Sequence, residues 1–124
     1  MTLTLKTHGN RLEVIPEAPR IFDTSEPVKL KIELDNDWKH YDAYEVMLKY
    51  YWITERVKLS KSLECEVPSE LINMEVPSYL YDKDHKRTIN AELMGIIYSY
   101  SGEYAIGLKR SRSERIIIIE TENE

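Results

Sequence analysis

A chain of 124 residues has the length of one domain, and 42% hydrophobic residues supply a core that a disordered chain lacks. A formal net charge of −5 leaves no basic footprint for a phosphate backbone, so no nucleic-acid partner is expected. Apolar runs such as Ile116–Ile119 fall far below the roughly 20 residues of a spanning helix, so no membrane partner is expected.

Period-two alternation, the mark of a half-buried strand, recurs along the chain. Thr2–Lys6 and Arg11–Ile15 are short strand candidates joined through His8-Gly9-Asn10. The N-terminal Met-Thr-Leu-Thr-Leu-Lys lacks the continuous apolar stretch of a secretion signal. Val28, Leu30, Ile32 and Leu34 alternate with charged residues, and Asp35-Asn36-Asp37 then turns the chain. Tyr44, Val46, Leu48, Tyr50 and Trp52 predict one long strand, followed by Arg56–Leu59 and by Leu63, Cys65 and Val67. Pro68-Ser69-Glu70-Leu71-Ile72 predicts one helical turn capped by Ser69 and limited by Pro77. Ile89, Ala91 and Leu93 begin a strand, and Ser99–Glu103 is the loop of a hairpin returning through Tyr104–Lys109. Lys109, Arg110, Arg112 and Arg115 read as a solvated loop, or as a basic loop docking on an acidic partner such as another copy of this chain. Arg115–Glu120 reads as a strand covered on both faces, and 121–124 as an acidic tail. Seven to nine short strands with at most one helical turn predict an all-β protein. Its architecture is an antiparallel β-sandwich, immunoglobulin-like or jelly-roll-like, forming a single domain over 1–120.

Reactive chemistry finds little support. Glycines at 9, 95, 102 and 107 form neither a dinucleotide fingerprint nor a Walker loop. Cys65 is the one cysteine, which suits folding in a reducing cytoplasm, and a thiol on the Leu63/Val67 face of a strand is inert. Asp35, Asp37, His40 and Asp42, and separately Asp82, Asp84 and His85, resemble oxygen-rich cation loops. They lack the glycine and the bidentate Glu such loops need, and Asp is a common turn residue. His8, His40 and His85 belong to no visible triad. No catalytic residue, metal or cofactor is therefore expected, and the chain is read as a non-enzyme. Nine Tyr and two Trp against one Phe suggest half-exposed aromatic faces, although Tyr is also an ordinary strand residue. The candidate interface residues are Tyr50, Tyr51, Trp52, Tyr79, Tyr81, Tyr98, Tyr100 and Tyr104, with Lys109, Arg110, Arg112 and Arg115.

Three segments occur together in one order: Val28 to Trp38, Tyr44 to Tyr50, and Cys65-Glu66-Val67-Pro68-Ser69-Glu70-Leu71. They resemble the small β-sandwich attachment domains of head-fibre and baseplate or tail-fibre proteins from phages of Gram-positive bacteria. The likeness spans Val28 to Gly95, with Trp38, Cys65, Pro68 and Glu70 as the matched structural motif. It implies a virion structural protein, located in the virion after synthesis in the host cytoplasm. It further implies contacts with other virion proteins and with itself, commonly as a trimer, and no cofactor. The motif also has a folding reading. Trp38 closes one end of the sandwich, Pro68 ends a strand by removing a ladder donor, and Glu70 favours a first helical turn. Two other functions fit the sequence: a carbohydrate-binding sandwich that stacks its Tyr and Trp on a surface glycan, and a small acidic inhibitor or adaptor. Glu33, Glu45, Glu64 and Glu92 are scattered over several strands, which disfavours the last.

Overall fold

Alternating residues become two facing sheets in the computed structural model, which describes residues 1–17, 21–22, 26–73 and 86–120. The chain runs β1 (Thr2–His8), β2 (Arg11–Ile15), β3 (Ile21–Phe22), β4 (Lys29–Glu33), a 3-10 turn (Asn36–Trp38), β5 (Ala43–Tyr50) and β6 (Ile53–Lys58). It continues through β7 (Glu64–Glu66), α1 (Ser69–Asn73), β8 (Lys86–Tyr98), β9 (Ala105–Arg110) and β10 (Glu114–Glu120). The expected all-β sandwich is what the chain forms.

The smaller sheet has the order β2-β1-β4-β7, and the larger β3-β10-β8-β5-β6, with β9 also on β8. Most pairings are antiparallel, but β1 with β4 and β10 with β3 are parallel. Leu3, Leu5, Leu30 and Ile32 from one sheet meet Val46, Leu48, Ile89, Ala91 and Leu93 from the other in one buried core. The sheets also approach at their margins, β2 beside β10 and β6 beside β7.

Several local expectations change. The strand beginning near Tyr44 stops at Tyr50, because Tyr51 adopts φ 51° and starts a turn that leaves Trp52 outside the alternation. Ser69 is the first residue of the single-turn helix rather than a residue preceding it. The basic stretch from Lys109 to Arg115 is mostly sheet and not a loop: Lys109 and Arg110 end β9, and Arg115 lies in β10. Its charges suggested solvation, whereas its backbone continues the ladder along β8. Tyr79, Tyr81, Asp82, Asp84, His85, Pro77 and the 121–124 tail lie outside the described residues.

Candidate functional site

One end of the sandwich is closed by a dense set of hydrogen bonds. Asp35 precedes the 3-10 turn, and its carboxylate accepts the Gly9 amide at 2.6 Å and the Asp37 amide at 3.0 Å. Gly9 reaches this position with φ 63°, a conformation suited to glycine. The Asp35 amide in turn donates to Thr7 Oγ1 at 2.7 Å. These bonds, the Gly9 amide foremost, hold the Asp35 carboxyl below its ordinary range. Trp38 is fully buried, and its indole Nε1–H donates to the Gly9 carbonyl at 2.5 Å. The Tyr44 hydroxyl donates to the Trp38 carbonyl. Lys109 lies over the Trp38 ring, 4.7 Å from its centroid, and donates to the Asp37 carbonyl at 3.1 Å. Trp38 thus closes the sandwich end, as its place after a strand suggests.

The acidic loop belongs to this closure. Asp35 serves the Gly9 and Asp37 amides, and Asp42 Oδ2 accepts the Tyr98 amide at 2.7 Å. Among the described residues no group of three His, Cys, Asp or Glu is placed to hold a metal ion. Cys65 is half-buried, and desolvation pushes its thiol up to about 11. Pro68 follows β7, and Glu70 lies in the first turn of α1.

The hairpin β8–β9 is different. Its loop closes where the Ser99 amide donates to the Tyr104 carbonyl at 3.0 Å. Along β8, Ile89, Ala91 and Leu93 face the core, so Met94 and Ile96 face outward. Across the ladder Ile96 pairs with Leu108 and Met94 with Arg110. Met94 and Ile96 are buried on this outward face, while Leu108 and Ile106 are 55% and 63% exposed. Ile97 emerges on the opposite face, past the point where Tyr41 packs over Gly95. Of the eight exposed large hydrophobics among the described residues, five lie in this hairpin: Ile97, Tyr100, Tyr104, Ile106 and Leu108. Single exposed apolar residues are ordinary, and it is the concentration that sets this hairpin apart.

The two cations of β9, Lys109 and Arg110, are engaged within the chain. Arg110 makes a two-pronged bond to Glu92, at 2.6 and 3.0 Å, which raises the guanidinium pKa above its usual value. Arg56 pairs with Glu45 at 2.6 Å on β5 and β6. Lys109 and Arg110, expected in a solvated or docking loop, end β9 instead and contact residues distant in sequence.

Arg112 and Arg115 occupy another place. Between β9 and β10 the register on β8 moves by one, from Met94↔Arg110 to Ala91↔Glu114. This is a β-bulge. Ser111 anchors it from inside: its hydroxyl accepts the Leu93 amide at 2.8 Å and its amide donates to the Leu93 carbonyl at 2.9 Å. The Arg112 amide then reaches the Asn10 carbonyl of the other sheet at 2.7 Å. An open groove of about 880 Å³ runs here, with Arg11, Arg112 and Arg115 balanced by Glu13, Glu17 and Glu114. His8 Nε2 lies 2.6 Å from Glu13 Oε2 on its wall.

The remaining aromatic candidates separate by burial. Tyr50 is only 6% exposed, packed under the Arg87 guanidinium at 4.5 Å, and is a core residue and not an interface residue. Tyr51 and Trp52 are exposed on the β5–β6 turn, with ring centroids 6.0 Å apart and planes 49° apart. Tyr98 is half-buried, and Tyr100 and Tyr104 are exposed on the hairpin. Ile106 and Leu108 escaped the sequence reading, because apolar residues in a strand suggest core. The available signal was β8 itself, apolar on both faces from Leu93 to Ile97.

Comparison with protein-family models, with curated proteins and with solved structures finds no match. Among the described residues no helix is long and apolar enough to cross a membrane.

Proposed function

We propose that this chain is a non-catalytic assembly module that docks onto protein through its β8–β9 hairpin. The observation that carries the reading is the gathering of Ile97, Tyr100, Tyr104, Ile106 and Leu108 on one hairpin. Aromatic and aliphatic side chains whose neighbouring cations, Lys109 and Arg110, are already paired make the kind of patch that forms an interface core. The phage attachment domains resembled by the Val28–Gly95 segment suggest the setting: a structural component of a virion head fibre or baseplate, meeting other virion proteins. On this reading the motif residues Trp38, Cys65, Pro68 and Glu70 build the scaffold, and the hairpin makes the contact. A photo-cross-linking amino acid in place of Tyr104 tests it during particle assembly. Adducts to a particle protein, or to a second copy, that disappear when Leu108→Glu is added are expected. Absence of the chain from purified particles, or of any protein adduct, would remove the proposal.

A second reading has its own observation. Trp52, 66% exposed beside Tyr51, offers one flat face to a sugar ring. The 49° tilt between the rings prevents a two-ring platform, which ranks this reading lower. A saturable glycan-array signal lost in Trp52→Ala would bring it forward.

A further inference from the structure

The described arginines divide into two groups. Arg56 and Arg110 are paired with Glu45 and Glu92, and the buried Arg87 guanidinium donates to the Leu71 carbonyl at 2.7 Å. Arg11, Arg112 and Arg115 are exposed, and among the described residues none of the three has a side-chain bond within the chain. All three line the open groove of about 880 Å³ where β2 lies beside β10. A guanidinium is a rigid fork of five donors, so three of them on one groove are recognition capacity that the fold does not use. The placing is built in. The bulge held from inside by Ser111 takes Arg112 off the β8 ladder and brings it to the gap between the sheets.

We propose that this groove receives an extended peptide segment of a partner protein, with an acidic residue at the pinned end and a basic residue two or three positions along. The site is separate from the hairpin and goes beyond the docking reading above. The Arg112 amide bond to the Asn10 carbonyl pins the two walls at one end, and β3 beside Ile119 and Glu120 bounds the other. Both walls run the same way between these points, so their charges can be ordered. Arg11 and Arg112 come first. Glu13 and Glu114 follow, each two residues further on its own wall, about 7 Å of extended chain. Glu17 lies beyond, and Arg115 stands on the wall opposite Glu13. The acids keep capacity to accept, because Glu13 meets His8 through Oε2 and Glu114 takes the Arg115 amide through Oε1.

This order selects the occupant. A purely anionic ligand meets three carboxylates, and a nucleic-acid strand also meets the net charge of −5. A purely cationic one meets three guanidiniums. A mixed-charge strand satisfies both, since its side chains on one face repeat at the same spacing of about 7 Å as the groove's own charges. The wall from Arg112 to Ile117 is about 16 Å of extended chain, the length of a five-residue strand. Leu12, Val14 and Ile117 supply an apolar lining.

The test pans a random heptapeptide library against the full chain. Enriched peptides are then made with a fluorescein label and titrated by anisotropy, with circular dichroism confirming that each variant folds. Enriched peptides should place Asp or Glu two or three residues from Lys or Arg. Arg112→Glu should weaken their binding about tenfold or more, and its side chain has no bond within the chain to lose. The double variant Arg112→Glu with Glu114→Arg should prefer peptides with the two charges in the opposite order. Leu108→Glu should leave the binding unchanged. A library that yields no enriched peptide, or peptides with acidic residues alone, overturns the proposal, as does binding indifferent to Arg112→Glu. Peptides lost in Leu108→Glu instead belong to the hairpin, which overturns the groove and supports the docking reading. Polygalacturonate, an anionic saccharide, should not displace the peptides; if it binds and no peptide is enriched, the groove takes an acidic glycan and the proposal falls.

Discussion

The Trp38 end of the sandwich and the β8–β9 hairpin contain similar residue types and use them in opposite ways. At the closed end the indole is buried, its N–H is bonded, and the loop beneath it is held by Asp35, Thr7 and Lys109. On the hairpin Tyr104, Ile106 and Leu108 are more than half exposed, while the neighbouring Lys109 and Arg110 are paired. The difference teaches that burial of an aromatic here serves folding, whereas on the proposed docking its exposure beside satisfied cations serves contact. Substitutions should therefore divide into those that unfold the protein and those that leave it folded but alone. Trp38→Ala is expected to cost about 3–5 kcal/mol in denaturant unfolding, since it empties a packed site. Leu108→Ser should move stability by less than about 0.5 kcal/mol. Equal effects of the two would erase the distinction.

A smaller loss tests the boundary between the regions. Gly95 lies where β8 leaves the core, and a Cβ there would sit 2.7 Å from Tyr41 Cγ. Gly95→Ala should cost about 1–3 kcal/mol, because the tyrosine is wedged between Trp38 and Tyr44 and has little room to retreat. Gly107, whose Cβ would meet Ile97 at an ordinary 3.7 Å, should accept Ala with little change in a melting experiment.

The closed end also has a pH signature. Asp35 is depressed below its ordinary value near 3.8, chiefly by the Gly9 amide. A depressed carboxylate contributes stability that is fully present above the unfolded pKa and is lost as pH falls through the folded one. Stability should accordingly decline below about pH 4, and Asp35→Asn should decline less over the same range in acid titrations followed by fluorescence.

How much of this was legible in the sequence follows from the range of the interactions. Alternation in Val28–Leu34 and at Ile89, Ala91 and Leu93 depends on neighbours two residues apart, so those strands and their core faces were readable. The parallel pairing of β1 with β4 joins residues some 26 apart, as where the Thr7 hydroxyl donates to the Glu33 carbonyl, and leaves no local pattern. β3 is two residues long and carries no period at all. The end of β9 was disguised by its charges, since the partners of Lys109 and Arg110 are Trp38, Asp37 and Glu92, all distant in sequence. At the site, exposure of Tyr100, Tyr104 and Trp52 was readable as a residue-type preference. Ile106 and Leu108 were not, because a strand's apolar face looks the same whether it meets a core or a partner.

Cys65 offers the smallest expected effect and a check on the scaffold side of the comparison. Its thiol faces the half-buried Leu63 side of β7, and burial raises it to about 11. At pH 8 almost no thiolate exists in the folded chain, whereas an ordinary thiol near 9.0 is about a tenth ionised. Alkylation should therefore be slow in native protein and accelerate on addition of denaturant. Cys65→Ala should fold normally with a modest loss of stability. It should also leave the hairpin's association unchanged, because the thiol belongs to the smaller sheet and β9 to the larger. Rapid labelling of the native chain would place Cys65 on a surface, and a change in association on its removal would join the two regions that the structure keeps apart.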